Sequence, residues 1–118
     1  MDQHIPRVSS EDVERIASRD FKPESVPLVL SMLDEYGKET WHLELHRVRL
    51  ATLKIAGGNI AKLRDALETA VQDYRDVICA AEYPTYFNAI SSSEKDSAKQ
   101  QRAIEADWEQ FQSWLKGN

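Results

Sequence analysis

The stretch "LATLKIAGGNIAKLRDALETA", Leu50 to Ala70, decides the fold of this chain. Apolar residues recur every three or four positions on both sides of Gly57 and Gly58, which is the spacing of an amphipathic helix. Two consecutive glycines are typical of a helix end, and Asn59 is a favourable residue with which to begin the next helix. Because the connection is so short, the two helices are predicted to pack as an antiparallel hairpin.

Prolines, glycines and helix-capping residues divide the rest of the chain into further predicted helices. Helix 1 is predicted at about 10 to 19, and helix 2 in the segment that carries two prolines in its first turn and Gly37 after its end. Helix 3 is predicted from about 39 to 56, and helix 4 from Ile60 until Pro84 prevents its continuation. Helix 5 follows near the C-terminus, with an apolar stripe that contains Ile104, Trp108, Phe111 and Leu115.

No alternating run of β-branched residues competes with these helices. The sequence therefore predicts an all-α protein, a compact helical bundle of four to five helices organised by the long antiparallel helix 3/helix 4 hairpin. With 118 residues, we expect one helical domain over 1–118, with a loose N-terminus at 1–8 and a polar loop at 91–97.

Composition argues against several classes of function. The formal net charge of -5 argues against a nucleic-acid partner, because nucleic-acid-binding domains usually carry a basic face. The apolar runs are too short to indicate a membrane segment.

Cys79 is the only cysteine in the sequence, so neither an intrachain disulfide nor a cysteine-rich zinc site is possible. A cytoplasmic location is therefore expected. The acidic neighbours Asp76 and Glu82 should disfavour the thiolate of Cys79.

Helix 3 is predicted to be apolar on two sides. Trp41 and Leu45 begin one stripe, whereas Leu43 and Leu50 lie nearly opposite. Either this helix is the centre of the bundle or its second stripe forms an oligomer interface. The candidate interface residues are Leu43 and Leu50, together with the aromatic residues Tyr86 and Trp114.

Helix 3 also offers a candidate metal site, because Glu39, His42 and His46 share one wedge of the predicted helix with Arg49. Two histidines four residues apart can bind one zinc ion. However, Leu43 stands where helical metalloproteases need a glutamate, and Arg49 would place a positive charge beside the metal. We therefore favour a polar seam in which an acid pairs with Arg49.

No glycine-rich phosphate loop, nucleophile elbow or hydrolase triad is visible. We expect a non-enzymatic protein-interaction or structural module without a cofactor, which binds a protein partner or self-associates as a homodimer. The alternative is a bundle that binds a transition metal or small ligand in the Glu39/His42/His46 wedge.

The segment "HRVRLATLKIAGGNIAKLRDALETAVQDYRDVICAAEYP", His46 to Pro84, resembles a group of small bacterial all-helical proteins of unknown function. A weaker similarity extends to "DFKPESVPLVLSMLDEYG". The resemblance implies a soluble bacterial protein and assigns no catalytic residue.

Overall fold

The computed structural model describes residues 7–84 and 97–117, and every regular element in these two ranges is helical. The described elements are a 3-10 turn at Pro23–Ser25 and the helices α1 (Ser10–Asp20), α2 (Val26–Leu33), α3 (Leu45–Ala56), α4 (Ile60–Gln72), α5 (Tyr74–Glu82) and α6 (Ser97–Lys116). The all-α prediction is confirmed. The described residues contain six helices rather than four to five.

α3 lies at the centre of the structure and packs against α1, α4 and α5. Val48, Leu50 and Leu53 on this helix have no exposed surface, and they pack with apolar residues from α1, α2, α4, α5 and α6. A helix that is covered on several sides needs apolar residues on more than one face. The two-sided pattern of helix 3 therefore reflects a central helix, which was the first of the two interpretations.

α3 begins at Leu45, six residues later than the predicted start at Glu39. Glu44, the residue before it, has a φ of 54° and adopts the left-handed conformation, which is unfavourable for a residue with a side chain. This conformation separates the helix from the turns that precede it. Glu39 and His42 therefore do not lie on the helix that carries His46, and the predicted helical wedge does not form.

The predicted helix 4 is two helices. Asp73 has an extended backbone between α4 and α5, and its side chain accepts a hydrogen bond of 3.1 Å from the Arg75 N–H. A short carboxylate can satisfy the first amides of a new helix in this way, which favours a break over continuation. The predicted long helix 3/helix 4 hairpin is not confirmed in its length.

The connection between α3 and α4 follows the sequence-based prediction closely. Gly57 ends α3 with a positive φ, and Asn59 Oδ1 accepts a 3.0 Å hydrogen bond from the Lys62 N–H at the start of α4. Gly58 lies against the end of α1, where an added Cβ would be 2.8 Å from the Asp20 carbonyl oxygen. The connection therefore needs glycine for two reasons, its backbone conformation and its close approach to α1.

Two arginines of α1 hold the C-terminal end of α6. Arg15 donates to the Leu115 carbonyl at 2.6 Å, and Arg19 donates to the carbonyls of Trp114 and Gly117. The Arg19 guanidinium also lies 5.2 Å from the Trp114 ring centroid. Carbonyls in the last turn of a helix lack intrahelical partners, and cations are favourable there. The pairing fixes α6 against α1.

Several predictions fall on residues outside the described ranges. These include most of the predicted loose N-terminus (1–6), most of the predicted polar loop (91–96), and Tyr86. Residues 7–9 have no regular structure, and Ser97 is the first residue of α6. The single-domain assignment stays a prediction. Within the described ranges, no helix combines the length and the apolar character needed to span a membrane.

Candidate interaction surface

The connection between α2 and α3 is built around the side chains of Tyr36 and His42. Tyr36 is fully buried, and its ring stacks on that of His42 with a centroid separation of 4.6 Å and an interplanar angle of 19°. The Tyr36 hydroxyl donates a hydrogen bond to the Leu43 carbonyl. Tyr36, near the start of the connection, is therefore held against residues near its end, although the connection contains no helix.

The imidazole of His42 also organises the backbone around it. Its Nδ1 accepts hydrogen bonds from the N–H groups of Gly37 at 3.0 Å and Glu39 at 3.3 Å. Because a ring nitrogen that accepts these bonds carries no proton, the proton of the neutral ring lies on Nε2. The His42 ring thus contacts Tyr36, Gly37 and Glu39, which are close in sequence but belong to no helix.

Arg49 anchors the connection to α3. Its guanidinium donates to the Tyr36 carbonyl, with the Nη2 contact at 2.8 Å, and lies 3.5 Å from the Asp34 carboxylate. The acid that pairs with Arg49 is therefore Asp34 rather than Glu39. Burial, with smaller contributions from the nearby Tyr74 and Glu44, raises the pKa of Tyr36 to about 12, so the phenol stays neutral.

This scaffold turns the two neighbours of His42 outward. His42 is buried, whereas Trp41 is 58% exposed and Leu43 is 54% exposed. Trp41 contacts His42 edge to face, with 5.6 Å between ring centroids. Trp41 was predicted to belong to an apolar stripe of helix 3, and it is exposed because the helix has not yet begun at this point. Leu43 lies at the surface, as an interface residue must.

A groove of about 420 Å³ adjoins Trp41 and Leu43 at the junction of α4 and α5. The facing wall includes Ala70, Asp73, Tyr74 and Arg75. Tyr74 is half-buried, and the Arg75 guanidinium donates to the Asp73 carboxylate at 3.1 Å. The side chains of Trp41 and Leu43 and the groove beside them are hereafter called the Trp41 surface. It combines exposed apolar area with a few fixed polar groups.

A second groove, of about 530 Å³, lies between α2 and α4. Its apolar lining consists of Met32, Leu67 and Val71. Gln72 lines this groove and also the groove of the Trp41 surface, so the two are neighbours at the C-terminal end of α4. We call the second one the α2/α4 groove.

The predicted metal ligands are not arranged as a metal site. Glu39 is exposed, His42 is buried in the connection, and His46 lies in the first turn of α3. In the part of the chain that the structure describes, no three His, Cys, Asp or Glu side chains are placed to hold a metal ion together. A histidine that binds a metal through Nε2 normally donates from Nδ1, but Nδ1 of His42 accepts from two backbone amides. The Nε2 atom of His42 and the Nδ1 atom of His46 are buried without a hydrogen-bond partner.

The other predicted interface residues differ in position. Leu50 is fully buried in the core, so the structure corrects its predicted place on an oligomer surface. Trp114 is half-buried, packs 5.3 Å from the Phe111 ring centroid, and is covered by Arg19. Tyr86 lies outside the described residues. Leu43 is thus the member of the predicted set that is both described and well exposed.

A buried ion pair between α3 and α5 was not predicted. Arg47 donates to both carboxylate oxygens of Glu82, at 2.8 and 2.7 Å, and Glu82 is only 3% exposed. Burial raises the pKa of Glu82, an effect that the hydrogen bonds from Arg47 oppose, and burial lowers the pKa of Lys54 nearby. A buried pair of this kind adds little net stability, but removing one partner is costly because the other charge is left buried and unpaired.

The thiol of Cys79 behaves as the sequence predicts. Burial raises its pKa, and the acidic side chains of Asp76 and Glu82 raise it further. A raised pKa leaves little thiolate at neutral pH. The two acidic neighbours therefore act on the thiol in the direction that the sequence predicts.

Comparison with known proteins finds no family model, no curated protein and no solved structure that matches this chain. The resemblance of residues 46–84 to small bacterial helical proteins therefore stays a prediction. The function has to be inferred from the chain's own residues.

Proposed function

We propose that this protein is a cytoplasmic, non-enzymatic module that binds another protein through the Trp41 surface. The observation that carries the proposal is the simultaneous exposure of Trp41 and Leu43, both more than half exposed, on a connection that is held rigid from beneath. Large apolar side chains in this setting are more typical of an interface than of a surface that faces only water.

The energetics favour a binding role for these two residues. Covering an exposed leucine or tryptophan side chain contributes on the order of 1–3 kcal/mol each, and tryptophan is enriched among the residues that dominate binding energy. A flexible loop would lose part of this gain when it became ordered on binding. The stack of Tyr36 on His42 and the two hydrogen bonds to Nδ1 order the connection beforehand.

The surrounding groups suit a protein partner rather than a reaction. The nearest ion pair, Arg75 with Asp73, is exposed and supplies hydrogen-bonding groups at the rim of the groove. The phenol of Tyr36 is held neutral and donates to the Leu43 carbonyl, so it serves the scaffold. The cytoplasmic assignment is supported by the single cysteine, which precludes an intrachain disulfide.

Site-specific photo-crosslinking in the cells that make the protein tests the proposal. A photoreactive phenylalanine analogue is placed at Trp41 in one variant, and at Lys22 in a matched variant, where the side chain is also exposed but lies before α2. Adducts are resolved by denaturing gel and identified by mass spectrometry.

The proposal requires discrete adducts from position 41 that are absent from position 22. An adduct of twice the chain mass identifies self-association, and a different mass identifies another protein. Leu43→Glu combined with the label at position 41 should remove the adduct while far-UV circular dichroism stays unchanged. If position 41 gives no adduct, or the same adducts as position 22, the Trp41 surface is not an interface.

A further inference from the structure

The imidazole ring of His42 has no place for a second proton. Its Nδ1 accepts from the N–H groups of Gly37 at 3.0 Å and Glu39 at 3.3 Å, and its buried Nε2 has no hydrogen-bond partner among the described residues. A protonated imidazole has two N–H donors and no acceptor. On this ring, one donor would point at two other donors, and the second would lack an acceptor. The connection between α2 and α3 therefore needs the ring in its neutral form.

The carboxylates of the connection do not compensate a positive charge on this ring. In the described residues, the Asp34 carboxylate lies 3.5 Å from Arg49, and the Glu35 carboxylate lies 3.3 Å from Lys38. Glu39 meets the ring through its backbone N–H, and its side chain is exposed. A buried charge without a partner is unfavourable, so a ring that gains a proton is driven out of this position.

The neighbouring helices do not compensate a charge on the ring either. Arg49 of α3 is itself a cation, and it donates at 2.8 Å to the carbonyl of Tyr36, which stacks on the ring. His46 lies in the first turn of α3, and its Nδ1 is buried without a hydrogen-bond partner among the described residues. Tyr74 of α5 and the exposed Glu44 act on the phenol of Tyr36, whose pKa of about 12, raised mainly by burial, keeps it uncharged.

We propose that protonation of His42 opens the α2–α3 connection, so that the Trp41 surface is held in place at neutral pH and released in mild acid. Opening removes the stack on Tyr36 and frees the amides of Gly37 and Glu39. The effect on binding rests on the proposed function, because Trp41 and Leu43 lie on either side of His42. The opening itself does not depend on a partner.

The direction of the pH dependence follows from which form takes up the proton. The closed connection holds the ring neutral, whereas a histidine exposed to water takes up a proton near pH 6.5. Because the open form binds more protons, its share rises as the pH falls. The closed connection is therefore fully stable above about pH 7 and loses stability progressively below about pH 6.5.

Hydrogen exchange of the full-length protein, followed by NMR, tests this inference. The protection factors of the Gly37 and Glu39 amides should fall about tenfold between pH 7 and pH 5. Nitrogen-15 signals of the His42 ring should show a neutral ring with its proton on Nε2 at pH 7. Protection that is equal at the two pH values would overturn the inference. So would a protonated His42 ring at pH 5 with both amides still protected.

Two variants assign the effect to the correct histidine. His42→Asn can offer an amide oxygen to the same N–H groups and has no group that titrates between pH 5 and 7, so its protection factors should change by less than about twofold. His46→Asn is the matched control, and it should keep the tenfold fall. A fall that persists in His42→Asn, or one that disappears in His46→Asn, would contradict the role assigned to His42.

Photo-crosslinking from position 41 separates failure of the switch from failure of the proposed function. In cell extract adjusted to pH 7 or pH 5, the adducts should be lost at pH 5 and retained there when His42→Asn is also present. If adducts form equally at both pH values and the amides stay protected, the interaction role stands and the switch is wrong. If no adduct forms at either pH while protection falls as expected, the switch stands and the Trp41 surface is not an interface.

Discussion

The two connections that flank α3 reach their structures in different ways. The connection from α3 to α4 has three residues, and its form follows from two glycines and an asparagine cap that are adjacent in sequence. The connection from α2 to α3 spans residues 34–44, and its form depends on a stacked pair, a shared acceptor and an arginine that reaches back from α3. The first is determined locally, and the second by contacts between side chains several residues apart.

This difference separates a structural joint from a candidate binding surface. The short connection exposes no large apolar side chain, and Gly58 lies against α1. The long connection buries His42 and exposes the residues on either side of it. A connection that presents two apolar side chains needs support, and here the support comes from its own side chains together with Arg49 of α3.

The largest effect is expected at Gly58, in the short connection. Gly58→Ala should lower the free energy of unfolding by about 3 kcal/mol, because φ is +86° and the new Cβ would lie 2.8 Å from the Asp20 carbonyl. Gly57→Ala is the control, since φ is +55° there but no atom lies within 4 Å. It should cost only about 1 kcal/mol. Urea unfolding followed by circular dichroism measures both, and equal losses would show that contact with α1 is unimportant.

The next effect tests the support of the long connection. His42→Ala should lower the free energy of unfolding by about 2 kcal/mol, because it removes the stack on Tyr36 and the acceptor for two amides. His42→Asn can place an oxygen where Nδ1 lies, so hydrogen exchange at the Gly37 and Glu39 amides should stay slower than in His42→Ala. Similar exchange rates in the two variants would contradict the role assigned to Nδ1.

The helical elements were predictable where local chemistry decides them. The all-helical class, the end of α3 at Gly57 and the cap at Asn59 depend on residues that are adjacent or one turn apart. The buried residues of α6 also follow from spacing, since Ile104, Phe111 and Leu115 share one face. Each of these features depends on residues that are close together in the sequence, which is why the sequence reveals them.

The candidate site was less predictable because its form depends on tertiary contacts. Leu43 was identified as an interface residue from its position opposite Trp41 on a wheel, but both residues lie before the helix and both are exposed. The left-handed conformation of Glu44 has no sequence signal, since glutamate rarely adopts it. The break at Asp73 has a weak signal, because aspartate is a good cap residue but is also tolerated within helices.

A smaller effect is expected for the cap of the short connection. Asn59→Ala should lower the free energy of unfolding by about 1 kcal/mol, because the Lys62 amide loses its acceptor. Asn59→Asp keeps an acceptor oxygen and adds a negative charge at a helix N-terminus, so its stability should match or exceed that of the natural protein. Thermal unfolding of the three proteins decides the matter, and a neutral Asn59→Ala would imply that the glycines alone form the joint.

The smallest effect has the opposite sign and lies in the long connection. Glu44 has a φ of 54°, and its side chain, half exposed, makes only a 3.9 Å contact with Arg47, which is itself held by Glu82. Glycine adopts this conformation without the cost of about 1–2 kcal/mol, but it loses more conformational entropy on folding. Glu44→Gly should therefore raise the free energy of unfolding by about 0.5 kcal/mol. A loss of stability measured by urea unfolding would mean that the Glu44 side chain, rather than the backbone alone, determines where α3 begins.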